Sequence, residues 1–323
     1  MKSLESILSI IQQSKQIAVF CHVQPDGDAI GSCLALASVL TKMGKLVDLY
    51  CQDEVPVSLH FLQGIEQFKN KYNEDKHYDL CIALDCSDEE RIGIFSDVYR
   101  ASAHTMNIDH HISNTMYADI NLVDFKAAAT GEIIYKLVRA YMDILDEDIA
   151  EALYTAISTD TGGFRYRNTT SQSYRIAADL IECGIDVEKI TTLLYKTNRL
   201  ERVRLLERGL KSLTLYYNNK IAIITITQDD LLATGAIESE MENMVNYAKD
   251  IIGVEIGILI KEVSDGTVRS SFRSKGEIDV SKLAKHFNGG GHKAAAGASL
   301  DMNVEQATAS IIEQARIALE EYK

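Results

Sequence analysis

Short apolar segments alternate with longer stretches of helical length through the first half of the chain. Residues 17–21 and 80–84 are almost continuously apolar, which is typical of short strands covered on both faces of a sheet. Residues 29–43 are also rich in apolar side chains and stop at Gly44, which predicts a helix after the first strand. The alternation predicts an α/β fold with a mainly parallel sheet and helices on both faces.

The same alternation continues to about residue 185. It predicts further strands at residues 46–51, 78–85, 106–111 and 119–123, and helices at residues 88–101, 130–142, 146–159 and 171–183. Asp186 caps a further helix, and residues 197–213 then alternate charges with leucines. This charged segment has the pattern of a solvent-exposed connecting helix.

The pattern changes after residue 213. One hairpin is predicted around Asn218 and Asn219 and a second around Asp265 and Gly266, with helices at residues 237–252, 280–287 and 304–321. We therefore predict a first domain at residues 1–185 and a helical linker at residues 186–212. A smaller α+β domain at residues 213–323 is expected to lie across a cleft from the first.

Composition and charge narrow the class of protein. The 323 residues include 33 basic and 47 acidic side chains, and the net charge of −14 argues against tight binding of long nucleic acid. A local cationic site could still bind a small phosphorylated substrate. No apolar run approaches the roughly 20 residues that span a bilayer, and no signal peptide is predicted. The six cysteines are scattered without a C-x-x-C pair, which favours a reducing, cytoplasmic location.

Carboxylates and imidazoles follow four of the predicted elements. They are His22, Asp26 and Asp28 after the first strand, Asp85 after residues 80–84, Asp109, His110 and His111 after Ile108, and Asp160 after a helical run. Because the carboxyl ends of parallel strands meet at one edge of a sheet, we expect these side chains to converge. Taken alone, Asp85 or Asp160 is more often a helix cap or a turn residue, but the joint pattern favours a functional site.

The charge of such a cluster indicates its ligand. Four converging carboxylates carry four negative charges, which two divalent cations would neutralise. Oxygen and imidazole ligands without thiolate favour Mn²⁺, Mg²⁺ or Fe²⁺ over structural zinc. One carboxylate can bridge two such ions, which is the arrangement of two-metal hydrolases acting on phosphate esters.

These motifs resemble those of the DHH phosphoesterase superfamily. The matching elements are His22-x-x-x-Asp26-x-Asp28, Asp85, Asp109-His110-His111 and Asp160-Thr161-Gly162, and Gly289-Gly290-Gly291-His292 resembles the signature of the DHH-associated C-terminal domain. The resemblance covers both halves of the chain and is strongest to the nanoRNase and pAp-phosphatase (exopolyphosphatase-related) type. Gly27 stands where some members carry proline, which leaves the ligands unchanged.

The resemblance implies a role for each motif residue. One cation would be held by His22, Asp26 and Asp85, and the other by Asp28, Asp85, His110 and Asp160. Mn²⁺ is the usual cofactor, with Mg²⁺, Co²⁺ and Fe²⁺ as alternatives. Asp109 would orient His110. His111 would contact the scissile phosphate or help to protonate the leaving oxygen.

The second domain carries candidates for substrate binding. The backbone N–H groups of Gly289, Gly290 and Gly291 could surround a phosphate, with His292 adding a donor. Strand alternation puts Arg269, Ser271 and Arg273 on one face, and arginine suits bidentate phosphate binding. The alternatives are a flexible turn for the glycines and a solvated edge strand for the arginines. Lys275, Lys293 and Arg165 are weaker candidates.

The expected activity is two-metal hydrolysis of phosphoester bonds in short oligoribonucleotides or in 3′-phosphoadenosine 5′-phosphate (pAp). Alternatives are a phosphodiesterase for cyclic dinucleotides or their linear products, an inorganic pyrophosphatase and a nucleotide-binding module without turnover. The expected partner is a short RNA or a small nucleotide rather than long nucleic acid or a membrane. A homodimer remains open.

Overall fold

The computed structural model describes residues 4–72, 76–142, 144–263 and 266–322. The chain forms two compact units, Met1–Thr197 and Asn198–Lys323. The division falls inside residues 186–212, whose role as a linker remains a prediction. Asp265, in the predicted second hairpin turn, lies outside the described residues.

The first unit is built on a six-stranded sheet in which every pair of neighbours is parallel. Its strands are β1 (Gln16–Phe20), β2 (Leu46–Tyr50), β3 (Phe68–Lys69), β4 (Leu80–Leu84), β5 (Thr105–Asp109) and β6 (Ile120–Val123). The spatial order is β3-β2-β1-β4-β5-β6, so the direction of winding reverses between β1 and β4. In open α/β sheets, ligands bind at the carboxyl ends of the strands beside this reversal.

Helices cover both faces of this sheet, which confirms the predicted fold class. They are α1 (Leu4–Gln13), α2 (Gly27–Lys42), α3 (Ser96–Arg100), α4 (Thr130–Leu137), α5 (Glu147–Asp160), α6 (Ser171–Glu182) and α7 (Val187–Tyr195). Ile17 and Val19 pack into one apolar core, whereas Ala18 and Phe20 pack into another. Successive residues of β1 thus face opposite sides, as the strand period requires.

Two predicted helices of the first unit are interrupted. Residues 88–101 form a 3₁₀-helix at Glu89–Phe95 and then α3, because Gly93 adopts a φ of +68° inside the segment. The helix predicted at residues 130–142 leaves the α-helical hydrogen-bonding pattern after Leu137 and continues as a π-helix at Val138–Met142. Both deviations concern local backbone geometry, which side-chain periodicity does not report.

Small residues bring three helices close together beneath the end of the sheet. A Cβ atom on Gly31 of α2 would lie 2.4 Å from the carbonyl oxygen of Ala152 in α5. A Cβ atom on Gly131 of α4 would lie 2.7 Å from the Cβ of Ala156, also in α5. These contacts bring together the three helices whose ends carry acidic and hydroxyl side chains.

Replacing Gly31 by alanine should destabilise the first unit. The new methyl group would meet backbone rather than a flexible side chain, so α2 and α5 must separate. We expect a loss of about 1–3 kcal/mol in the free energy of unfolding, measured by denaturant titration. Ser38→Ala, on the same helix, is the control. A Gly31→Ala protein as stable as this control would contradict the close approach.

The second unit contains a six-stranded mixed sheet in the order β11-β12-β10-β9-β8-β7. Its elements are α8 (Leu200–Ser212), β7 (Thr214–Tyr216), β8 (Ile221–Ile226), α9 (Gln228–Thr234), α10 (Val245–Lys249), β9 (Ile256–Glu262), β10 (Val268–Ser274), α11 (Val280–His286), β11 (Gly290–His292), β12 (Ala295–Leu300) and α12 (Val304–Glu320). The pairs β7–β8 and β9–β10 are antiparallel, as the predicted hairpins require.

Two features of this unit differ from expectation. Residues 237–252 are not one helix: a 3₁₀-helix at Glu238–Met241 is separated from α10 by Asn243, whose φ of +63° ends the first segment. Residues Gly290–His292 of the glycine run form the edge strand β11, paired with β12, which the sequence analysis did not predict. Among the described residues, no helix is long and apolar enough to cross a membrane.

Candidate metal centre

The first cluster is built around the loop that joins β1 to α2. His22 lies two residues after β1 and is buried. Asp26 caps α2, because its Oδ1 accepts hydrogen bonds of 3.0 Å from the backbone N–H groups of Asp28 and Ala29. The second carboxylate oxygen of Asp26 is directed at the ring of His22.

The ring of His22 presents one nitrogen to two carboxylates. Its Nδ1 lies 2.8 Å from the carbonyl oxygen of Val23, which can accept the Nδ1 proton. In that tautomer Nε2 carries a lone pair and lies 3.8 Å from Asp26 Oδ2 and 3.6 Å from Asp85 Oδ2. These separations are too long for hydrogen bonds but suit atoms that each lie about 2.1 Å from a shared cation.

A second set of ligand atoms surrounds the ring of His110. Its Nδ1 lies 3.3 Å from the carbonyl oxygen of Ala127, which again directs Nε2 towards the cluster. Three carboxylate oxygens surround this Nε2, those of Asp28 at 3.8 Å, Asp85 at 3.6 Å and Asp160 at 3.6 Å. The predicted ligands His22, Asp26, Asp28, Asp85, His110 and Asp160 are therefore brought together in two sets.

Asp85 belongs to both sets. Its Oδ2 faces His22 and its Oδ1 faces His110, so the two oxygens of one carboxylate point at different groups of ligand atoms. The side chain is buried directly after β4, beside the reversal in strand order. The backbone of Asp85 has a φ of +60°, a conformation that aspartate and asparagine tolerate better than most residues. This placement is the geometry required of a bridging carboxylate.

The electrostatics of the cluster favour bound positive charge. Burial, together with the charges of Asp85 and Asp160, raises the pKa of Asp28 well above its usual value. Burial and the neighbouring carboxylates raise the pKa of Asp160 to about 7, against the opposing effect of His110. Burial alone would lower the pKa of His22, but Asp26 and Asp85 raise it to about 10. Without a cation the cluster holds protons instead, so the donor set fits divalent metal ions.

Two side chains that the sequence analysis overlooked support these ligands. Thr130, at the start of α4, donates its backbone N–H to Asp28 Oδ2 at 2.6 Å and its hydroxyl to Asp85 Oδ1 at 2.9 Å. Asn168 donates to the backbone carbonyl of Asp160 at 3.0 Å and lies 3.4 Å from its Oδ2. The amino end of α4 thereby stabilises the buried negative charge. Of these two residues, only Thr130 could have been identified from the local sequence, because it is a hydroxyl residue at the start of a predicted helix.

The predicted role of Asp109 is wrong in one respect. Asp109 Oδ1 lies 2.8 Å from Nδ1 of the His111 ring. From His110 this oxygen accepts the backbone N–H and not the ring. The ring of His110 is oriented by Ala127 instead. Asp109 is completely buried and is held by Asn114, which donates to Oδ2 at 2.5 Å. Asp109 therefore orients His111, whose Nδ1 also lies 3.5 Å from Asp85.

In the second unit, the predicted substrate residues share one face of the sheet. Arg269, Ser271 and Arg273 alternate along β10 with the buried residues of that strand. His292 pairs with Ala295, and Ala295 pairs with Arg273, so the imidazole and the guanidinium stand on the same face. Gly290 and Gly297 pair next to these residues, so this part of the face carries no bulky side chain.

The sequence analysis missed Lys261 on the same face. It pairs with Arg269 across β9 and β10 and helps to line a cavity of about 260 Å³ together with Ser271 and Arg273. Burial lowers the pKa of Lys261, and the charges of Arg269 and Arg273 lower it further, while Glu242 opposes them. Among the weaker candidates, Lys275 donates to the carbonyl of Ile251 and Lys293 is exposed. The face concentrates positive charge in an acidic protein.

Comparison with known proteins agrees with this arrangement. The DHH family N-terminal domain matches residues 16–157, and the DHHA1 domain matches residues 218–320. A relative from Bacillus subtilis, the bifunctional oligoribonuclease and PAP phosphatase NrnA, is 32% identical over 86% of this chain and 87% of its own length. This chain belongs to the DHH family. The predicted DHH phosphoesterase with a DHH-associated C-terminal domain is confirmed.

Two further similarities extend over nearly the whole chain. The protein of the same name from Thermus thermophilus is 29% identical over 98% of this chain and 93% of its own length. The crystal structure of an exopolyphosphatase-related protein from Bacteroides fragilis matches with a TM-score of 0.91 and 28% identity, covering 98% of this chain and 95% of that one. This DHH-family chain therefore shares the fold of that structure over nearly its whole length.

Proposed function

We propose that this DHH-family chain hydrolyses phosphoester bonds in short oligoribonucleotides and in pAp, using two divalent cations, with Mn²⁺ as the physiological metal. The observation that carries the proposal is the placement of Asp85, whose two oxygens face two separate sets of ligand atoms. The names of the relatives from Bacillus subtilis and Thermus thermophilus support the choice of substrates.

The ligand sets would divide between the two cations. His22, Asp26 and Asp85 would hold one, and Asp28, Asp85, His110 and Asp160 would hold the other. When bound, such cations supply positive charge for the phosphate oxygens and lower the pKa of a water molecule. The chain itself contributes the orientation of every ligand, through Val23, Ala127, Thr130 and Asn168.

His111 is proposed to donate a proton to the leaving group. In the metal-free chain, burial lowers the pKa of His111, but its bond to Asp109 and the charge of Asp85 raise the pKa to about 9, which favours the protonated ring as a proton donor. Water attacks phosphorus, a new P–O bond forms and the bond to the leaving oxygen breaks. The imidazolium donates a proton to that oxygen and regains one from the attacking water, so the ring ends the cycle unchanged.

The second unit is proposed to bind a phosphate of the substrate. Arg269, Arg273 and Lys261 supply positive charge on one sheet face, and Ser271 and His292 supply hydrogen-bond donors. Because β11 is an edge strand, the glycines Gly289, Gly290 and Gly291 can bring backbone close to a ligand without side-chain interference. This binding would select substrates by their length and terminal phosphate.

A parallel assay tests the proposal. The Mn²⁺-loaded protein is offered pAp, a dinucleotide, a pentanucleotide, pyrophosphate and a cyclic dinucleotide, and released phosphate or nucleotide is measured. We expect turnover of pAp and of both oligonucleotides, and loss of it after chelation. Preference for the cyclic dinucleotide or for pyrophosphate would replace the proposed substrate. Absence of turnover on every compound would instead favour a nucleotide-binding module.

Substitutions in the second unit should affect substrate binding more than chemistry. Arg273→Gln removes the positive charge and His292→Ala removes a donor from the proposed phosphate site. We expect KM to rise about tenfold, as for the loss of a charge-assisted hydrogen bond, with little change in kcat. Steady-state kinetics on pAp measures both constants, and Arg204→Gln, on exposed α8, is the control. An unchanged KM in both variants would remove this face from the proposal.

A further inference from the structure

A segment directly after Asp160 carries aromatic and basic side chains that the proposed mechanism does not use. We call residues 161–168 the Asp160 loop. Its chain reverses through three successive residues with positive φ, Gly162 at +58°, Gly163 at +71° and Phe164 at +62°. The side chains of Arg165, Tyr166 and Arg167 then lie at the surface.

The loop is fixed to the metal centre rather than loosely attached. Asn168 donates to the carbonyl oxygens of Asp160 and Ala128, at 3.0 Å each. The ring of Tyr166 packs on the backbone of Gly162, where a Cβ atom would lie 2.3 Å from the ring. Tyr166 is nevertheless 49% exposed. A partly exposed ring is therefore held against Gly162, two residues after a proposed metal ligand.

A second exposed ring stands beside the loop, at the start of α6. Tyr174 stacks on Phe164, with ring centroids 5.5 Å apart and an angle of 29°, and its hydroxyl donates to the carbonyl oxygen of Phe164 at 3.2 Å. The ring of Tyr154 supports Phe164 at 5.6 Å. Tyr174 remains 58% exposed. We call the exposed rings of Tyr166 and Tyr174 the ledge; the first packs on Gly162 and the second on Phe164, and such contacts lower the entropy cost of binding a flat group.

The ledge also carries uncompensated positive charge. In the described part of the chain, the exposed guanidinium groups of Arg167 and Arg175 form no ion pair, although acidic residues are in excess. Other arginines of the chain, such as Arg208 and Arg316, pair with carboxylates. Unpaired guanidinium groups beside exposed aromatic rings are the combination that binds single-stranded nucleic acid, through phosphate contacts and base stacking.

We infer that the Asp160 loop and the start of α6 bind the nucleotide next to the scissile phosphate of an oligoribonucleotide. Its base stacks on Tyr166 and its phosphate meets Arg167, two exposed side chains of the loop itself. The inference rests on the proposed function and deepens it by assigning a site that distinguishes RNA from pAp. Because pAp contains a single nucleoside, it has no second base to place on the ledge.

Kinetics on two substrates tests the assignment. The ratio of kcat/KM for a pentanucleotide to that for pAp is measured with Mn²⁺ in Tyr166→Leu and Tyr166→Phe. Loss of a stacking ring should lower this ratio about tenfold in Tyr166→Leu, whereas the phenylalanine variant keeps the ring and should keep the ratio. A structural defect of the loop would instead reduce both substrates alike.

The salt dependence provides an independent readout. Each phosphate contact to a single strand contributes about 0.7 to the slope of log(kcat/KM) against log salt, so Arg167→Ala should flatten the pentanucleotide slope by roughly that amount. Tyr322→Leu and Arg204→Ala are matched controls on exposed surface of the second unit and should change neither quantity. If the wild-type protein cleaves both substrates and Tyr166→Leu keeps its ratio, this inference is wrong while the proposed function stands. If the wild-type protein cleaves neither the pentanucleotide nor pAp, the proposed function is wrong, and this inference is overturned with it.

Discussion

Asp85→Asn should abolish phosphoester hydrolysis while leaving the fold intact. Asparagine keeps the size of the side chain and tolerates the φ of +60° at this position, which alanine would not do as well. It removes the negative charge that both ligand sets share, so each cation loses a ligand. Because removal of a single electrostatic contact in an active site already costs about 10²–10³ in kcat, we expect a loss of at least about 10³-fold.

Three measurements make this result specific. Steady-state turnover of pAp gives the activity, metal analysis after dialysis gives the number of bound ions, and thermal unfolding in chelator gives the stability. Turnover and metal content should both fall, while a single cooperative unfolding transition in chelator should remain, because asparagine keeps the size of the side chain and the backbone conformation. Asp97→Asn, at an exposed position, is the control. An Asp85→Asn enzyme with near-normal kinetics and two bound ions would show that the centre is wrongly assigned.

Divalent metal should stabilise the protein, and the stabilisation should increase with pH. Without metal, the raised pKa of Asp160, about 7, and the raised pKa values of Asp28 and His22 mean that the folded chain binds protons that the unfolded chain has released. The unfolded chain then binds fewer protons, so stability in chelator falls as pH rises from about 4 to 9. Metal replaces these protons, and its affinity rises as they become easier to remove.

Thermal unfolding at pH 5.5, 7.0 and 8.5, with chelator or with excess Mn²⁺, measures the effect. At saturating metal the gain at pH 8.5 should be roughly 5–10 °C, and it should be smaller at pH 5.5. Asp85→Asn should show a much smaller gain and serves as the internal control. A metal-free protein whose melting temperature rises through this pH range would contradict the proposed uptake of protons by the cluster. A metal-induced rise in melting temperature that is equal at every pH would also contradict it.

Much of the fold was accessible from local sequence. The buried strands β1 and β4 have almost no polar residues, because both faces of a parallel sheet are covered, and this made them recognisable. The breaks at Gly93 and Asn243 were missed, since a positive φ changes the backbone path without changing the hydrophobic period. The strand formed by Gly290–His292 was not predicted, because pairing with β12 depends on a strand formed later in the chain.

The contacts that support the site residues were harder to predict from the sequence. Thr130 reaches Asp28 across 102 residues of sequence, and Lys261 joins Arg269 only through strand register. Asp109 contacts the ring of His111 and not that of His110, because the two rings point in different directions. The ring of His110 is directed by the carbonyl oxygen of Ala127. Spacing along the chain carries no information about such directions.

The sequence by itself determined which residues are candidate metal ligands, because most of these aspartates and histidines follow apolar segments that must become parallel strands. It also determined the order of the two kinds of unit along the chain. Only the tertiary structure decided that the two oxygens of Asp85 face different ligand sets, and which partner orients each imidazole. These outcomes depend on distances of a few ångströms between elements far apart in sequence, which packing sets and local pattern does not.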